Sequence, residues 1–357
     1  MNPVVRFELL HPPLDRPCGG NVYDRCLLDA AARCGFPLSS VVVDAGDRRE
    51  IEARFHERSS AFRIWDGLLL EGLAQRHALG RGERAVLRAV LLHWLQSCDP
   101  TLEAGERARR ESIERAIVDC AALVVVPGHH MQRTLQRRHP RHAIARCEPA
   151  LREPFLAPMR AQADRTTQRV ELLTVSNLLP AKGLLELLPV LASLVALDWR
   201  WHLVGDPEAD PACARRLDET ARRLGLSGRI VRHGALGAED VAERMDRAGL
   251  FVFPSRFESY GIALAEAAAR ALPVVAFRAG DAAWLFRDRV DSLLVAPGDY
   301  DGLREALREA IADSSLRARL RARLSLRRPA RSWDRTLAEF ASILWEGSTE
   351  ALPSFHA

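Results

Sequence analysis

Two glutamates that flank a glycine are the residues of this sequence best suited to chemistry. Glu258 comes before Gly261, and Glu266 follows it in an alanine-rich segment that is predicted to be helical. A glycine at the start of a helix lets an anion approach the free N–H groups of residues 261–263, because it has no side chain. Carboxylates on both sides of such an anion site suit a ligand that is anionic in the middle and rich in hydroxyl groups at both ends. A nucleotide-sugar is such a ligand.

Two apolar, β-rich runs bracket this stretch, at Leu250–Phe253 and Pro273–Phe277. Together with the helical segment between them, they predict a βαβ unit whose loop lies at the carboxyl end of a strand. Ligands of open α/β sheets bind at that end. The sequence therefore predicts that Glu258 and Gly261 line a ligand site.

The spacing Glu258-x7-Glu266, preceded by Pro-Ser and followed by Leu-Pro-Val-Val, resembles the signature of the retaining glycosyltransferases of family 4, which have the GT-B fold. The resemblance implies that Glu258 faces the sugar of the donor and that Glu266 binds the hydroxyl groups of its ribose. The residues that it would place on the donor diphosphate are Ser259, Tyr260, Gly261 and Ile262. The alternative is an acidic loop and a solvated helix glutamate on an ordinary Rossmann-like unit.

Lysine occurs once among the 51 basic residues of the chain, as Lys182, and arginine takes every other basic position. An ammonium group is a compact point charge, whereas a guanidinium group is a wide planar fork. Lys182 is followed by Gly183 and comes shortly after the predicted strand Val170–Ser176. The family has a Lys-Gly pair at this place, so the resemblance implies that Lys182 contacts the donor diphosphate and that Gly183 belongs to the donor site. The alternative is that a single lysine survives by chance.

Two positions depart from the family pattern. Asn177 stands where many members carry an arginine that also binds phosphate, and asparagine forms hydrogen bonds but carries no charge. With Asn177 in the donor site, we expect either a lower affinity for the diphosphate or another arginine that takes over this contact. The second departure is Ala279-Gly280-Asp281, where the family usually has a Gly-Gly-x-x-Glu pattern.

Candidate residues of the N-terminal half follow predicted strands. Gly19 and Gly20 come after the first strand, and paired glycines let the backbone approach a ligand. The resemblance implies that they lie near the donor phosphates and the acceptor, although a tight turn would also explain them. His93 follows the predicted strand Arg88–Leu92, and the resemblance implies that it contacts the donor sugar, against the alternative of a structural histidine. Asp66 ends a neighbouring strand and is expected to line the same cleft.

Other polar features of the chain are weaker candidates for the site. His129 and His130 are secondary candidates for the role assigned to His93. An arginine-rich stretch near the end of the N-terminal half is interpreted as a solvated face, and docking on an anionic membrane is the less favoured reading. It comprises Arg133, Arg137, Arg138, Arg141, Arg146 and Arg152. Asp299-Tyr300-Asp301 is interpreted as the N-cap of a helix, so no metal site is predicted.

Length and composition favour a two-domain globular protein. The chain has 357 residues, 48% hydrophobic and 27% charged, which fits two domains of roughly 150 to 200 residues. No apolar run reaches the roughly 20 residues that a membrane span requires, and no secretory signal is predicted. Seven cysteines without a Cys-x-x-Cys pair fit reduced thiols, so a cytoplasmic location is expected. The net charge of +4 does not imply a nucleic-acid partner.

Alternating strand and helix patterns predict two doubly wound, Rossmann-like α/β domains that face each other across a cleft, as in GT-B. The predicted domains are 1–160 on the acceptor side, 161–330 on the donor side, and a helix in 331–357 that returns to the N-terminal domain, with a linker at 157–168. Pro189 is expected to interrupt and kink the helix after Lys182. The predicted strands are Val4–Leu10, Leu38–Val43, Phe62–Trp65, Arg88–Leu92, Leu123–Val126, Val170–Ser176, Trp199–Val204, Arg229–His233, Leu250–Phe253, Pro273–Phe277 and Ser292–Val295.

The sequence and the resemblance together predict a retaining, metal-independent glycosyltransferase without a cofactor. It would move a hexose from a nucleoside-diphosphate sugar, UDP- or GDP-linked, to a small-molecule or glycan acceptor, with Glu258, Lys182 and His93 in catalysis. One alternative is an isomerase on the same scaffold, such as a nucleotide-sugar epimerase. The other is a non-catalytic protein that binds a ligand or partner.

Overall fold

A computed structural model describes residues 5–16, 18–74, 87–157, 169–326 and 331–350, with side chains up to residue 346. The chain forms two compact units, one of residues 1–150 with 331–357 and one of residues 151–330. Most of the predicted linker, together with the predicted boundary after residue 160, lies outside the described residues. None of the described helices is long and apolar enough to cross a membrane.

The first unit contains a six-stranded parallel sheet in the order β2-β1-β3-β4-β5-β6. Its strands are β1 (Phe7–His11), β2 (Leu38–Val42), β3 (Phe62–Asp66), β4 (Leu87–Leu91), β5 (Ala121–Val126) and β6 (Ala143–Arg146). The five strands predicted for this half agree with β1 to β5 within a few residues. The prediction missed β6, an edge strand in which only Ile144 is buried, so it lacks the apolar run by which the other strands are recognised.

The second unit contains another six-stranded parallel sheet, in the order β12-β11-β10-β7-β8-β9. Its strands are β7 (Val170–Val175), β8 (Trp199–Val204), β9 (Ile230–Gly234), β10 (Leu250–Phe253), β11 (Val274–Phe277) and β12 (Ser292–Val295). All six were predicted from the sequence. Both faces of this sheet are covered, because neighbouring residues of one strand belong to different hydrophobic clusters. Leu250 and Val252 pack in one cluster, and Phe251 and Phe253 pack in the other.

Helices flank both sheets. Those of the first unit are α1 (Gly19–Cys34), α2 (Arg48–His56), α3 (Gly67–Ala74), α4 (Ala104–Asp119), α5 (His129–Arg138) and α14 (Trp333–Glu350). Those of the second unit are α6 (Glu153–Leu156), α7 (Leu184–Ala192), α8 (Pro211–Arg223), α9 (Ala238–Arg247), α10 (Ile262–Ala269), α11 (Ala282–Leu285), α12 (Tyr300–Ala312) and α13 (Ser314–Ser325). Pro189 lies inside α7, which continues to Ala192, so the predicted interruption of this helix is wrong.

The C-terminal helix α14 packs against α1 of the first unit. Its apolar face is buried, since Leu337, Phe340 and Leu344 are at most 4% exposed. Thr336 on the same helix donates a hydrogen bond from Oγ1 to the carbonyl oxygen of Glu148. These contacts fix the helix to the sheet that carries the N-terminal candidate residues.

Candidate functional site

Lys182 and Glu258 meet at the carboxyl end of the second sheet. Lys182 ends a 3-10 turn, Pro180–Lys182, after β7, and Glu258 lies in the loop after β10. Lys182 Nζ donates a hydrogen bond to Glu258 Oε1 at 2.5 Å, and the two side chains are 14% and 10% exposed. The structure therefore joins two residues that the sequence proposes for the same site but separates widely along the chain.

Two glycines allow the loops at this site to pack closely. Gly183 has a φ of +68°, and a Cβ atom there would lie 2.2 Å from the carbonyl oxygen of Pro254. Gly280 has a φ of +53°, and a Cβ atom there would lie 2.1 Å from the carbonyl oxygen of Glu258. Both distances are far below van der Waals contact, so a side chain at either position would displace the loop that carries Glu258. Gly280, which the sequence marks only as a departure from the family, thus supports the loop behind Glu258.

The amino terminus of α10 begins next to Glu258. Gly261 is its N-cap residue, with a φ of +91°, and the helix proper starts at Ile262, as predicted. The first N–H groups of a helix have no partner within the helix and attract anions. Ser259 is 7% exposed, and its Oγ atom has no hydrogen-bond partner among the residues that the structure describes. A buried hydroxyl without a partner is rare in folded proteins and fits a group that binds a ligand.

Glu266 is buried on α10 and forms an ion pair with Arg152. Arg152 Nη2 and Nε lie 2.7 Å and 2.9 Å from Glu266 Oε1, and the guanidinium group also stacks over Phe155, 5.0 Å from the ring centre. Burial raises the pKa of Glu266 to about 7, although the charge and hydrogen bond of Arg152 act in the opposite direction. Glu266 therefore titrates near neutral pH, and the solvated glutamate considered as an alternative is excluded.

The interpretation of the arginine-rich stretch as a solvated face is wrong for three of its members. Arg138, Arg146 and Arg152 are each paired with a carboxylate, those of Glu114, Glu148 and Glu266, and their side chains are 24 to 30% exposed. Arg146 Nη1 also lies 2.6 Å from His129 Nδ1. His129, a secondary candidate, is thus held in an ion-pair network.

Asn177 uses its side-chain oxygen within the protein. Its Oδ1 accepts a hydrogen bond from the backbone N–H of Asp206 at 3.3 Å, which links the loops after β7 and β8. Gly205 makes this approach feasible, because a Cβ atom there would lie 1.9 Å from the carbonyl oxygen of Ser176. A role of Asn177 in donor binding stays a prediction.

In the first unit, Gly19 and Gly20 are the first residues of α1, and His93 packs against them. A Cβ atom on Gly20 would lie 3.1 Å from the His93 ring, so the small residue brings helix and histidine together. His93 Nε2 lies 2.8 Å from Asp24 Oδ1, and Asp66 is close to both, as expected from its place at the end of β3. Asp24 and Asp66 are 0% and 2% exposed.

His93 is protonated in this cluster at neutral pH. Burial lowers the pKa of His93, but the charges of Asp24 and Asp66 and the hydrogen bond to Asp24 outweigh it and raise the pKa to about 9. Burial raises the pKa of Asp66 to about 7, against the charge of His93. A protonated His93 donates from both ring nitrogens, one of them toward Asp24.

The sequence interpretation missed Asp24. Its place on α1 is a signal that could have found it, because Asn21, Asp24 and Leu27 recur on the buried face of that helix. The interpretation of Asp299 as an N-cap is confirmed, since its side chain accepts a hydrogen bond from the N–H of Gly302 at 2.8 Å.

Comparisons with known proteins match the sequence of the second unit to a glycosyltransferase family model. Residues 169–313 match the family model described as Glycosyl transferases group 1. The chain is 30% identical over 195 residues to the D-inositol 3-phosphate glycosyltransferase of Xylanimonas cellulosilytica, covering 54% of this chain and 44% of that protein. It is also 30% identical over 147 residues to the lipopolysaccharide core biosynthesis glycosyltransferase LpsE of Rhizobium meliloti, covering 41% of each. The chain thus spans less than half the length of these curated relatives.

Solved structures of low sequence identity share the whole fold. The sucrose-phosphate synthase of Thermosynechococcus elongatus matches with a TM-score of 0.71 at 18% identity, over 97% of this chain and 98% of that chain. Anabaena Alr3699/HepE in complex with UDP and glucose matches with a TM-score of 0.68 at 17% identity, over 96% and 100%. WaaG, a glycosyltransferase involved in lipopolysaccharide biosynthesis, matches with a TM-score of 0.66 at 15% identity, over 94% and 98%. The predicted GT-B fold is confirmed.

Proposed function

We propose that the protein is a retaining glycosyltransferase that moves a hexose from a nucleoside-diphosphate sugar to a small-molecule or glycan acceptor. The observation that carries this proposal is the Lys182–Glu258 pair beside the amino terminus of α10, where Gly261 opens the helix and Ser259 offers an unpartnered buried hydroxyl. The matches to glycosyltransferase sequences support the reaction class. The complexes of Alr3699/HepE with UDP and with UDP-glucose support a nucleotide-sugar donor.

Departure of a nucleoside diphosphate requires positive charge at the phosphates. Lys182 would supply an ammonium group, and the first N–H groups of α10 would supply hydrogen bonds and the positive end of the helix dipole. The N–H groups of α10 are fixed before the donor arrives, so they need little reorganisation during the reaction. We therefore propose that donor cleavage needs no divalent cation.

Glu258 and Lys182 would exchange partners when the donor binds. Lys182 Nζ lies 2.5 Å from Glu258 Oε1, so the ammonium group neutralises the charge of the carboxylate. A diphosphate competes for Lys182, which frees Glu258 to accept hydrogen bonds from sugar hydroxyl groups and to stabilise the positive charge of an oxocarbenium-like transition state. An arginine could carry the charge at position 182, but its wider planar fork would not reproduce this compact contact.

Glu266 and His93 would hold other parts of the donor. The carboxylate of Glu266 can accept hydrogen bonds from both hydroxyl groups of a ribose. Arg152 keeps this carboxylate oriented through two N–H groups. His93, protonated through Asp24 and Asp66, would donate a hydrogen bond to the donor sugar. Asp24 and Asp66 then act as positioning residues for His93.

Thermal stabilisation by UDP, GDP, ADP, TDP and CDP tests the donor site. A ligand at a hundred times its dissociation constant adds about 2.7 kcal/mol to the free energy of unfolding, so we expect a clear shift with one nucleotide. The shift should vanish in Lys182→Ala and persist in Arg319→Ala, which removes an exposed charge from α13 of the same unit. No shift with any nucleotide in the folded protein would favour a non-catalytic ligand- or partner-binding protein. Conversion of a nucleotide-sugar without an acceptor into another nucleotide-sugar would favour an isomerase.

A further inference from the structure

A cluster of three side chains, Asp119, His139 and His142, lies where strands β5 and β6 of the first sheet begin. His93 lies at the opposite end of this sheet, because it follows β4. Asp119 is the last residue of α4, just before β5 begins. His139 directly follows α5, and His142 directly precedes β6. The parallel pairing of β5 with β6 brings these chain segments together.

The distances within the cluster suit a shared metal ion better than direct hydrogen bonds. Asp119 Oδ1 lies 3.4 Å from His139 Nδ1 and 3.5 Å from His142 Nε2, and the three atoms all lie within 4.8 Å of one another. An N–H···O hydrogen bond is most often about 2.9–3.0 Å long. A four-coordinate zinc ion with bonds of about 2.0–2.1 Å separates its ligand atoms by roughly 3.3–3.4 Å. The two carboxylate–imidazole separations are therefore close to the edges of such a tetrahedron.

The exposure of the three groups also fits metal binding. His139 is 7% exposed, while the side chain of Asp119 is 52% exposed, which leaves one side of the cluster open to water as a fourth ligand.

A second cluster of carboxylate and imidazole groups, formed by Asp24, Asp66 and His93, differs in geometry. There His93 Nε2 lies 2.8 Å from Asp24 Oδ1, which is the length of a hydrogen bond. That nitrogen carries its proton toward Asp24 and has no lone pair for a metal ion. Asp24 and His93 are thus joined by a hydrogen bond, whereas the donor atoms of Asp119, His139 and His142 are spaced for a metal ion.

We propose that Asp119, His139 and His142 bind one divalent transition-metal ion of the Zn²⁺ class, with water completing the tetrahedron. Imidazole ligands select zinc, nickel or copper over Mg²⁺, which prefers oxygen ligands only. The bound ion would tie the end of α4 to the turn between α5 and β6. The site is separate from the proposed donor site and does not depend on the glycosyltransferase activity.

Calorimetric titration of the tag-free, chelator-stripped full chain with Zn²⁺ and with Mg²⁺ at pH 7.5 tests this site. We expect one Zn²⁺ per chain and no competition by Mg²⁺. Loss of even an outer-shell partner weakens a metal site by about 10- to 100-fold, so His142→Ala should weaken it by about 100-fold or more. Asp119→Ala, a change at an exposed side chain, should weaken it strongly without endangering the fold. His56→Ala, at an exposed histidine of α2, and His93→Ala are the matched controls and should bind as the wild type does.

Co²⁺ substitution adds a readout of the ligand set. Tetrahedral Co²⁺ bound by nitrogen and oxygen should give visible absorption bands that disappear in His142→Ala and remain in His93→Ala. Equal Zn²⁺ affinity in wild type and His142→Ala, or no stoichiometric Zn²⁺ binding at all, would overturn the proposal. A thiolate-to-cobalt charge-transfer band, or loss of binding in His93→Ala alone, would place the ion on other residues and would overturn it as well.

Discussion

Replacement of Arg152 by alanine should shift the pH range over which donor affinity changes to higher pH. Glu266 has a pKa of about 7 while Arg152 contacts it, so its carboxylate is only partly ionised at neutral pH. Removal of Arg152 takes away the charge and both hydrogen bonds that favour the ionised form, and the pKa of Glu266 should rise further. A protonated Glu266 is a poorer acceptor for the two ribose hydroxyl groups.

The size of the effect follows from the kind of hydrogen bond that is lost. A hydrogen bond to a charged group contributes about 1 kcal/mol more than a neutral one. Hydrogen bonds from two ribose hydroxyl groups then contribute about 2 kcal/mol, or roughly a 30-fold change in affinity. We expect the wild-type affinity for the donor to rise by this amount as the pH increases through 7, and the rise to occur at higher pH in Arg152→Ala.

Calorimetry with the intact nucleotide-sugar between pH 5.5 and 9 measures this rise. The intact donor is the right ligand because the terminal phosphate of a free nucleoside diphosphate itself titrates at about pH 6. Glu266→Gln serves as the control, since it keeps the shape of the side chain and cannot ionise, and its affinity should change less with pH than that of the wild type. A flat profile in the wild type, or the same midpoint in wild type and Arg152→Ala, would refute the role of Glu266 as an ionising ribose acceptor.

Three further predictions concern the other parts of the two units. Lys182→Ala should lower the turnover of the nucleotide-sugar by about 100-fold or more, in line with loss of one hydrogen-bond donor to the transition state. Lys182→Arg should not restore turnover fully. Full activity of the alanine variant in a steady-state assay would remove Lys182 from the mechanism. The pKa of His93, about 9 against 6.5 for an ordinary histidine, predicts that the contribution of His93 to stability is complete below pH 6.5 and declines by about 3 kcal/mol as the pH rises to 9. Urea unfolding should show a smaller decline between pH 6.5 and 9 in Asp24→Asn, and equal declines would argue against the pairing. Gly183→Ala should lower the melting temperature and nucleotide binding together, because its Cβ atom would meet the carbonyl oxygen of Pro254 at 2.2 Å, whereas Gly228→Ala, which has open space around it, should leave nucleotide binding unchanged.

The sequence predicts the elements of this protein better than the contacts of its site. Strands such as β10 and β11 are apolar runs between turn signals, so their position follows from composition alone. Strand β6 could not be found in this way, because it lies at the edge of the sheet and buries one side chain. The start of α10 at Gly261 was predictable because this glycine separates a polar turn from an alanine-rich run.

Contacts between distant residues are set by packing and leave little trace in a single sequence. The pairing of Arg152 with Glu266 joins α10 to a residue that looked like one more exposed arginine. Asp24 was missed because only the packing of α1 on the sheet places its carboxylate beside His93. Lys182 and Glu258 were assigned to one site only through resemblance to a family, and the structure supplies the physical reason, since β7 and β10 are neighbours in the sheet.

The stereochemistry of donor cleavage tests the central claim most directly. Proton NMR can follow a nucleotide-sugar of the type that stabilises the protein, with water as the acceptor, and report which anomer of the free sugar forms first. Our account predicts that the sugar appears first with the anomeric configuration of the donor and that its release is lost in Lys182→Ala. Initial appearance of the inverted anomer, or equal release by wild type and Lys182→Ala, would contradict a retaining glycosyltransferase that works through Lys182.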